Sequence, residues 1–220
     1  MLIAGFASGS LQANCYLVGA GDSVEVVVID PGEQAAGGVE QALKQLDRRL
    51  AAVLLTHGHL DHCAAAAELA NHHDVPVYCH RFDWPMLTHP MLGLLPDFEP
   101  YAAAITGPGL SLPLAKQLVD YPSGELTLAG IDLAMQHAPG HSPGSVVLTV
   151  QDEDQPVAFT GDVIFAGSIG RVDLPGGDAQ QMAVSLAQLK ETISAQATLL
   201  PGHGPASTMA DELANNRFLQ

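Results

Sequence analysis

Apolar positions recur along the chain with two different periods, and these periods predict strands and helices in turn. Residues 24–30 (VEVVVID) form a mostly β-branched run that ends at a turn, which predicts a buried strand. Val39, Leu43, Leu46 and Leu50 then recur at helical spacing. The chain therefore passes from a strand to a helix within its first fifty residues.

The later apolar runs predict more strands with helices between and after them. Residues 51–55 predict a strand, 62–71 an Ala-rich helix and 75–79 another strand. Further strands are expected near 125–128, 131–137, 145–150, 156–160 and 197–200. Asp178, followed by Gln181, predicts a helix start before an apolar stripe. This order indicates an α/β fold in which two packed sheets carry helices outside, an αββα sandwich.

Residues 81–115 follow neither period and are predicted to be an irregular insertion with short helices. They contain six prolines, namely Pro85, Pro90, Pro96, Pro100, Pro108 and Pro113. Long irregular segments are commonly either functional or mobile. Two interpretations stay open: a lid over a cleft, or a surface-packed loop without a role in substrate binding.

Composition favours one globular domain over residues 1–220. Apolar residues make up 47% of the chain, enough to form a sizeable core. The formal charge of −16 disfavours binding to nucleic acid or anionic membranes. No apolar run reaches membrane-spanning length, and the first nineteen residues predict two strands rather than a signal peptide. The cytoplasm is the expected compartment.

The three cysteines do not indicate a disulfide framework or a thiolate metal site. Cys15, Cys63 and Cys79 lie in unrelated sequence contexts, and none belongs to a CxxC pair. Each is expected to be a small buried apolar residue.

The segment THGHLDH, after the predicted strand 51–55, is the strongest chemical signal. Three imidazoles and a carboxylate within six residues suit a divalent cation such as zinc. In the turn between strand and helix, His57 and His59 can face one metal, while Asp61 and His62 can face a second. The alternative is a chance cluster in a chain with ten histidines, but the strand–motif–helix context favours metal.

Three later residues complete a candidate ligand set. His141 lies in the turn-rich segment APGHSPG, Asp162 follows the strand-like PVAFT, and His203 lies in PGHGP after TLL. Each is expected at a strand end, beside Gly or Pro. Alone, each would more often be a solvated loop residue, but together they indicate a two-metal site.

With QANCYLV, VVIDPG, PGHSPGS, TGDVIFAGSIGR and PGHGP, the array resembles the metallo-β-lactamase superfamily over nearly the whole chain. The branch it most resembles is glyoxalase II-like (hydroxyacylglutathione hydrolase-like). The resemblance implies a four-layer αββα sandwich with two divalent metals, zinc first and iron or manganese as alternatives. The implied ligands are His57, His59 and His141 for the first metal, Asp61, His62 and His203 for the second, and Asp162 for both.

Two further residues take implied roles from this resemblance. Asp30 matches an acidic residue that supports the metal loops, although a plain turn residue before Pro31 is the alternative. Arg171 matches a basic residue that contacts glutathione, although an ordinary ion pair is the alternative. The chain departs from glyoxalase II after PGHGP, where the C-terminal helical domain is missing, and near Arg171, where Val172 and Asp173 replace an expected aromatic. Recognition of glutathione therefore stays open.

The predicted activity is hydrolysis of a thioester, such as S-lactoylglutathione, by a metal-bound hydroxide. Asp61 and Asp162 are the expected catalytic residues, and Asp61 would orient the water or take up its proton. A mononuclear-iron persulfide dioxygenase, a lactone or other ester hydrolase, and a non-enzymatic metal-stabilised binding domain are the alternatives. The expected partner is a small-molecule substrate, and the oligomeric state is left open.

Overall fold

A computed structural model describes residues 1–150 and 156–220, and two six-stranded sheets contain most of its strands. The first sheet comes from the N-terminal half of the chain. In order across this sheet, the strands are β1 (Leu2–Ser8), β2 (Ala13–Gly19), β3 (Glu25–Ile29), β4 (Arg49–Leu54), β5 (Val77–Tyr78) and β6 (Leu118–Val119). The pairings from β1 to β3 are antiparallel, and those from β3 to β6 are parallel.

The second sheet comes from the C-terminal half, and its strand order departs from chain order. From one edge to the other, the strands are β14 (Ser207–Thr208), β13 (Thr198–Pro201), β10 (Val157–Gly161), β9 (Val146–Val150), β8 (Ile131–His137) and β7 (Leu126–Leu128). Strands β10 and β13 pair parallel, and the other neighbours pair antiparallel. A separate hairpin of β11 (Ile164–Phe165) and β12 (Ser168–Ile169) follows β10.

Helices lie on the outer faces of both sheets and at the edge that carries the candidate site. They are α1 (Ala35–Leu46), α2 (Leu60–Cys63), α3 (Ala66–His73), α4 (Trp84–Thr88), α5 (Glu99–Thr106), α6 (Ala179–Thr192) and α7 (Met209–Asn215). Helices α1 and α3 pack on the first sheet, and α6 and α7 pack on the second. The predicted αββα sandwich is therefore confirmed. Within the described ranges, no helix is both long and apolar enough to cross a membrane.

Side-chain alternation in the central strands builds the layers. In β3, Val26 and Val28 face the helices of the first sheet, whereas Val27 and Ile29 face the second sheet. Successive side chains of a strand point to opposite faces, so a strand covered on both faces must be apolar throughout. This explains the β-branched run that the sequence shows at 24–30.

Two predicted helices have wrong boundaries. The helix predicted at 62–71 forms as two, α2 and α3, and between them the Ala65 N–H donates to the Pro31 carbonyl. Helix α1 ends at Leu46, because Asp47 takes the left-handed conformation (φ 52°) and turns the chain toward β4. Leu50 therefore lies in β4 and not on the helical stripe. Leu46 and Leu50 both pack on the core of the first sheet, so both are apolar. Their four-residue separation matches a helical period only by coincidence.

Helix α6 begins at the predicted residue, with one difference in its cap. The Asp178 carboxylate accepts hydrogen bonds from the backbone N–H groups of Gln180 and Gln181, as an N-cap should. The Gln181 side chain, however, donates to the Asp178 carboxylate and not to its backbone. The Asp178 backbone N–H instead donates to the Gly140 carbonyl at 2.8 Å. The helix start therefore anchors the loop that carries His141.

The segment 81–115 contains short helices, as predicted. Besides α4 and α5, it forms three 3₁₀ turns, at Arg81–Asp83, Pro90–Gly93 and Pro96–Phe98. Leu94 and Ala102 of this segment are buried in a small apolar cluster with Leu60, beside the THGHLDH segment. The insertion therefore packs directly on the candidate site.

Candidate metal centre

The ends of several strands bring the candidate ligands to one edge of the sandwich. The THGHLDH segment follows β4 and leads into α2, while His141 lies in the connection between β8 and β9. Asp162 directly follows β10, and His203 lies just after β13. Loops at a sheet edge gather side chains from segments distant in sequence. The structure brings together all seven predicted ligands.

His57, His59 and His141 form the first triad, which is buried. One ring nitrogen from each lies within 4.8 Å of the others, and His59 Nδ1 lies 2.8 Å from His141 Nε2. Burial lowers the pKa of His57 well below its usual value, and burial together with His141 lowers the pKa of His59 to about 3. Neutral imidazoles with free lone pairs are the form that binds a divalent metal.

Asp61, His62 and His203 form the second triad, in which a carboxylate joins two imidazoles. Their ligand atoms also lie within 4.8 Å of one another, with His203 Nε2 3.2 Å from both His62 Nε2 and Asp61 Oδ2. Burial opposes ionisation here, but opposite charges outweigh it, so the pKa of His62 is raised and that of Asp61 is lowered. The second triad therefore contains an ionised carboxylate, whereas the first consists of imidazoles alone.

Asp162 lies between the two triads. Its Oδ1 is 3.4 Å from His62 Nε2, and its Oδ2 is 3.5 Å from His141 Nε2 and 3.6 Å from His203 Nε2. Asp162 Oδ1 and His57 Nε2 are buried polar atoms without a hydrogen-bond partner among the described residues. Such atoms are costly unless something binds them, and a cation would. The donor set thus fits divalent metal.

Hydrogen bonds on the outer side of the rings fix which nitrogen faces the centre. His62 Nδ1 lies 3.1 Å from a carboxylate oxygen of Asp30, and His141 Nδ1 lies 2.8 Å from the Arg171 carbonyl oxygen. Both acceptors require a proton on Nδ1, which leaves the Nε2 lone pair directed inward. Buried Asp30 also accepts from the N–H and hydroxyl of Thr56, at 2.7 and 2.6 Å, and so contacts the loop at two points.

A model of the metallo-beta-lactamase superfamily matches residues 8–205 of this chain. The chain belongs to this superfamily. Its members are enzymes, and the histidine and aspartate clusters of this chain suggest two divalent metals. We therefore describe the protein as a metal-binding hydrolase of the metallo-beta-lactamase superfamily.

Several relatives within the superfamily match this chain over nearly its full length. The hydroxyacylglutathione hydrolase GloC of Haemophilus influenzae is 32% identical, with 96% of this chain and 94% of GloC covered. The BLEG-1 B3 metallo-beta-lactamase superposes with a TM-score of 0.82 at 31% identity, with both chains fully covered. TTHA1623, solved in a di-iron-bound form, gives a TM-score of 0.73 at 35% identity and covers 98% of this chain and 100% of its own.

The candidate metal centre opens into a pocket of about 350 Å³. His59, Asp61, Asp162 and His203 contribute to its floor. Six apolar or aromatic side chains form much of its wall: Leu11, Leu94, Phe98, Tyr101, Phe165 and Leu174. Half of these come from the insertion at 81–115. In the sequence, the wall residues from the insertion follow neither the helical nor the strand period, so the apolar pattern gave no reason to select them.

Arg171 lines the same pocket, but its guanidinium is paired within the chain. Its Nε and Nη2 donate to the two carboxylate oxygens of Asp173 at 2.7 and 2.8 Å. This hydrogen bond raises the pKa of Arg171 and lowers that of Asp173 to about 2. Asp173 thus occupies the face of Arg171 that a substrate carboxylate would need.

One residue next to the site was missed by sequence reasoning. Asp83, at the end of the first 3₁₀ turn of the insertion, is fully buried and accepts hydrogen bonds from two loops of the centre. Asp83 lies soon after the strand predicted at 75–79, and this position was the one feature of the sequence that could have marked it as a site residue. The signal is weak, because the chain contains 24 acidic residues.

Proposed function

We propose that the protein is a two-metal hydrolase of the glyoxalase II-like branch that cleaves an acyl thioester, such as S-lactoylglutathione. The observation that carries the proposal is Asp162, whose carboxylate lies within 3.6 Å of ring nitrogens from both triads. Such a shared carboxylate is what a pair of closely spaced metals requires. The match to GloC, which covers 96% of this chain, supports a thioester as the substrate.

The proposed metal assignment follows the two triads. His57, His59 and His141 would hold one ion, Asp61, His62 and His203 the other, and Asp162 both. Zinc is the expected ion, and iron or manganese are the alternatives, since TTHA1623 was solved in a di-iron-bound form. Two bound cations would supply an ionised water at neutral pH and would polarise the carbonyl that it attacks.

The side chains of this protein orient the water and the substrate. Asp61 lines the pocket, and His62 and His203 outweigh the effect of its burial and hold its pKa low. Its carboxylate is therefore ionised at neutral pH and can accept a hydrogen bond, and then a proton, from the attacking water. The apolar wall excludes other water from the acyl group. A thiolate leaves with little protonation, which suits this arrangement.

Asp30 and Arg171 have supporting roles in the proposal. Asp30 would hold the His62 ring and the Thr56 backbone in the geometry that metal binding requires. Arg171 would bind a substrate carboxylate after exchanging Asp173 for it, as a guanidinium fork can.

The test is turnover by metal-defined protein on several substrates in parallel. The metal-free chain, reconstituted with two equivalents of zinc, iron or manganese, is assayed on S-lactoylglutathione, an acetyl thioester, a homoserine lactone and glutathione persulfide. We expect kcat/KM on a thioester to exceed that on the lactone at least 10-fold, with full activity only at two metals per chain. Oxygen uptake with persulfide at one iron per chain would instead identify a dioxygenase. Absence of turnover on every substrate would contradict an enzymatic role on these compounds.

A further inference from the structure

A single carboxylate from the insertion connects the two loops that carry the first triad. Asp83 Oδ2 accepts from the Gly58 backbone N–H at 2.9 Å and from the Ser142 hydroxyl at 2.6 Å. Asp83 Oδ1 accepts from the Gly144 backbone N–H at 2.6 Å. Gly58 lies between His57 and His59, and Ser142 directly follows His141. Each histidine of the first triad is therefore a sequence neighbour of a residue that donates a hydrogen bond to Asp83.

Two glycines leave the space that Asp83 occupies. A Cβ atom on Gly58 would lie 2.9 Å from the Asp83 Cβ, and one on Gly144 would lie 2.6 Å from the Asp83 Cγ. Such distances exclude a side chain at either position unless Asp83 moves. The two metal loops thus approach Asp83 from opposite sides, with glycine at each point of contact.

The carboxylate is costly to bury, and its hydrogen bonds explain why it is retained. Asp83 is fully buried, and among the described residues no Lys or Arg forms an ion pair with it. Burial raises its pKa, and the bonds from Ser142, Gly58 and Gly144 act in the opposite direction. Three charge-assisted bonds compensate burial of a carboxylate and fix its geometry more strongly than neutral bonds would.

The second triad depends on other contacts. The second oxygen of Asp30 lies 3.1 Å from His62 Nδ1, and the amide of Asn14 donates to the carbonyls of Pro201 and Gly204, on either side of His203. Asp83 has no hydrogen bond to Asp61, His62 or His203. The contacts of Asp83 are therefore specific to one half of the centre.

We propose that Asp83 is a positioning residue that fixes the spacing of the His57–His59 loop and the His141 loop, and thereby sets the metal affinity of the first triad alone. The proposal rests on the two-metal assignment made above. Changes to residues that orient metal ligands typically cost 10–100-fold in affinity. Asp83→Asn keeps the size of the side chain but removes one acceptor oxygen and places an amide N–H against a donor.

Cobalt titration of the metal-free, full-length protein tests the proposal, because Co²⁺ absorption reports the ligands at each step. Wild type should show two binding steps, and His203→Ala should weaken the step that belongs to the second triad. Asp83→Asn should weaken the other step 10–100-fold, change its visible spectrum and leave the second-triad step within 3-fold. The double variant should weaken both steps. Equal weakening of both steps in Asp83→Asn, or no change in either, would overturn the proposal.

Glu212→Gln is the matched control for loss of a buried carboxylate. Glu212 is also buried and accepts from a backbone N–H, that of Gly167, but it contacts the β11–β12 hairpin and not a metal loop. This variant should lower the melting temperature without changing either cobalt step.

A milder variant covers the case in which Asp83→Asn does not fold. Ser142→Ala removes one of the three hydrogen bonds, and its first-triad step should weaken about 3-fold with the second step unchanged. An unchanged first step in Ser142→Ala would then count against the proposal. If wild type itself shows fewer than two steps, the two-metal assignment fails, which is a different outcome from failure of Asp83.

Discussion

The two halves of the metal centre differ in burial, charge and support. The first triad consists of three imidazoles, all less than 5% exposed, whereas in the second triad the side chains of Asp61 and His203 are 14% and 27% exposed. Asp83 joins the loops of the first triad, and both triads line the pocket: His59 and His141 belong to the first, and Asp61 and His203 to the second. The comparison indicates a difference in support and exposure: the first half is buried and held by Asp83, and the second is more accessible to water.

This difference follows from where each half lies in the chain. The first triad comes from loops that both touch the insertion, which adds a packed layer over them. The second comes from the start of α2 and the loop after β13, where the side chains of Asp61 and His203 stay partly exposed. A site with one rigid and one accessible side combines preorganisation with substrate entry.

Asp162→Asn is expected to have the largest effect, because Asp162 is the residue that the two halves share. Removing one charged oxygen should weaken metal binding in both triads and lower kcat/KM on a thioester about 10³-fold, equivalent to several kcal/mol of lost transition-state stabilisation. Metal content by mass spectrometry and steady-state kinetics measure the two effects. Glu212→Gln, with near wild-type kinetics, is the control. A variant with two metals and normal kcat would show that the halves do not depend on Asp162.

Asp30→Asn and Thr56→Val should distinguish the hydrogen bonds that orient the first triad from those that orient the second. Asp30 reaches His62 directly, and it reaches His57 through the Thr56 hydroxyl, which lies 3.0 Å from His57 Nδ1. Asn is tolerated at the left-handed backbone of Asp30 (φ 51°), so Asp30→Asn should fold and weaken both cobalt steps about 10-fold. Thr56→Val should weaken the first-triad step alone. Loss of the second step in Thr56→Val would contradict this division.

The metal-free protein should respond to pH with opposite signs in the two halves. Because the pKa of His59 is lowered to about 3, the unfolded chain binds a proton below pH 6.5 that the folded chain does not. His59 therefore costs about 1.4 kcal/mol of stability for each pH unit below 6.5, or about 2 kcal/mol at pH 5. Although burial opposes it, Asp61 and Asp162 raise the pKa of His203, so its stabilising contribution is present below pH 6.5 and is lost as the pH rises through the folded value.

Urea unfolding of metal-free variants at pH 5 and pH 7 measures these contributions. His59→Gln should reduce the loss of stability on acidification, whereas His203→Gln should increase it. If both substitutions change the pH dependence in the same direction, the two triads do not differ electrostatically as the structure indicates.

Local signals predicted the strands of the αββα sandwich and four of the seven side chains that converge. The other three, His141, Asp162 and His203, were indicated only as a set and by the family resemblance. A strand covered on two faces must be apolar, and THGHLDH concentrates ligand types in six residues. The metal roles themselves and the expected cytoplasmic location stay predictions, and both interpretations of 81–115, a lid or a surface-packed loop, stay open.

Long-range and irregular features escaped prediction for physical reasons. Asp83 matters only because two distant loops meet around it, and no pattern along the chain records that meeting. The end of α1 was missed because Asp47, a non-glycine residue, takes a left-handed conformation there. The pocket wall from the insertion depends on packing among short helices without a period.

Arg171 and Asp173 lie at the rim of the pocket, and changes there should have the smallest effect. The pair is exposed, and exposed ion pairs contribute little to stability, so Asp173→Asn should leave the melting temperature nearly unchanged. It should free the guanidinium, and KM for anionic S-lactoylglutathione should fall about 3-fold, while KM for an uncharged lactoyl thioester stays constant. Arg171→Gln should raise the first KM and leave the second. If Asp173→Asn changes both KM values equally, Arg171 does not recognise a substrate carboxylate, and only its backbone carbonyl, which accepts from His141, serves the site.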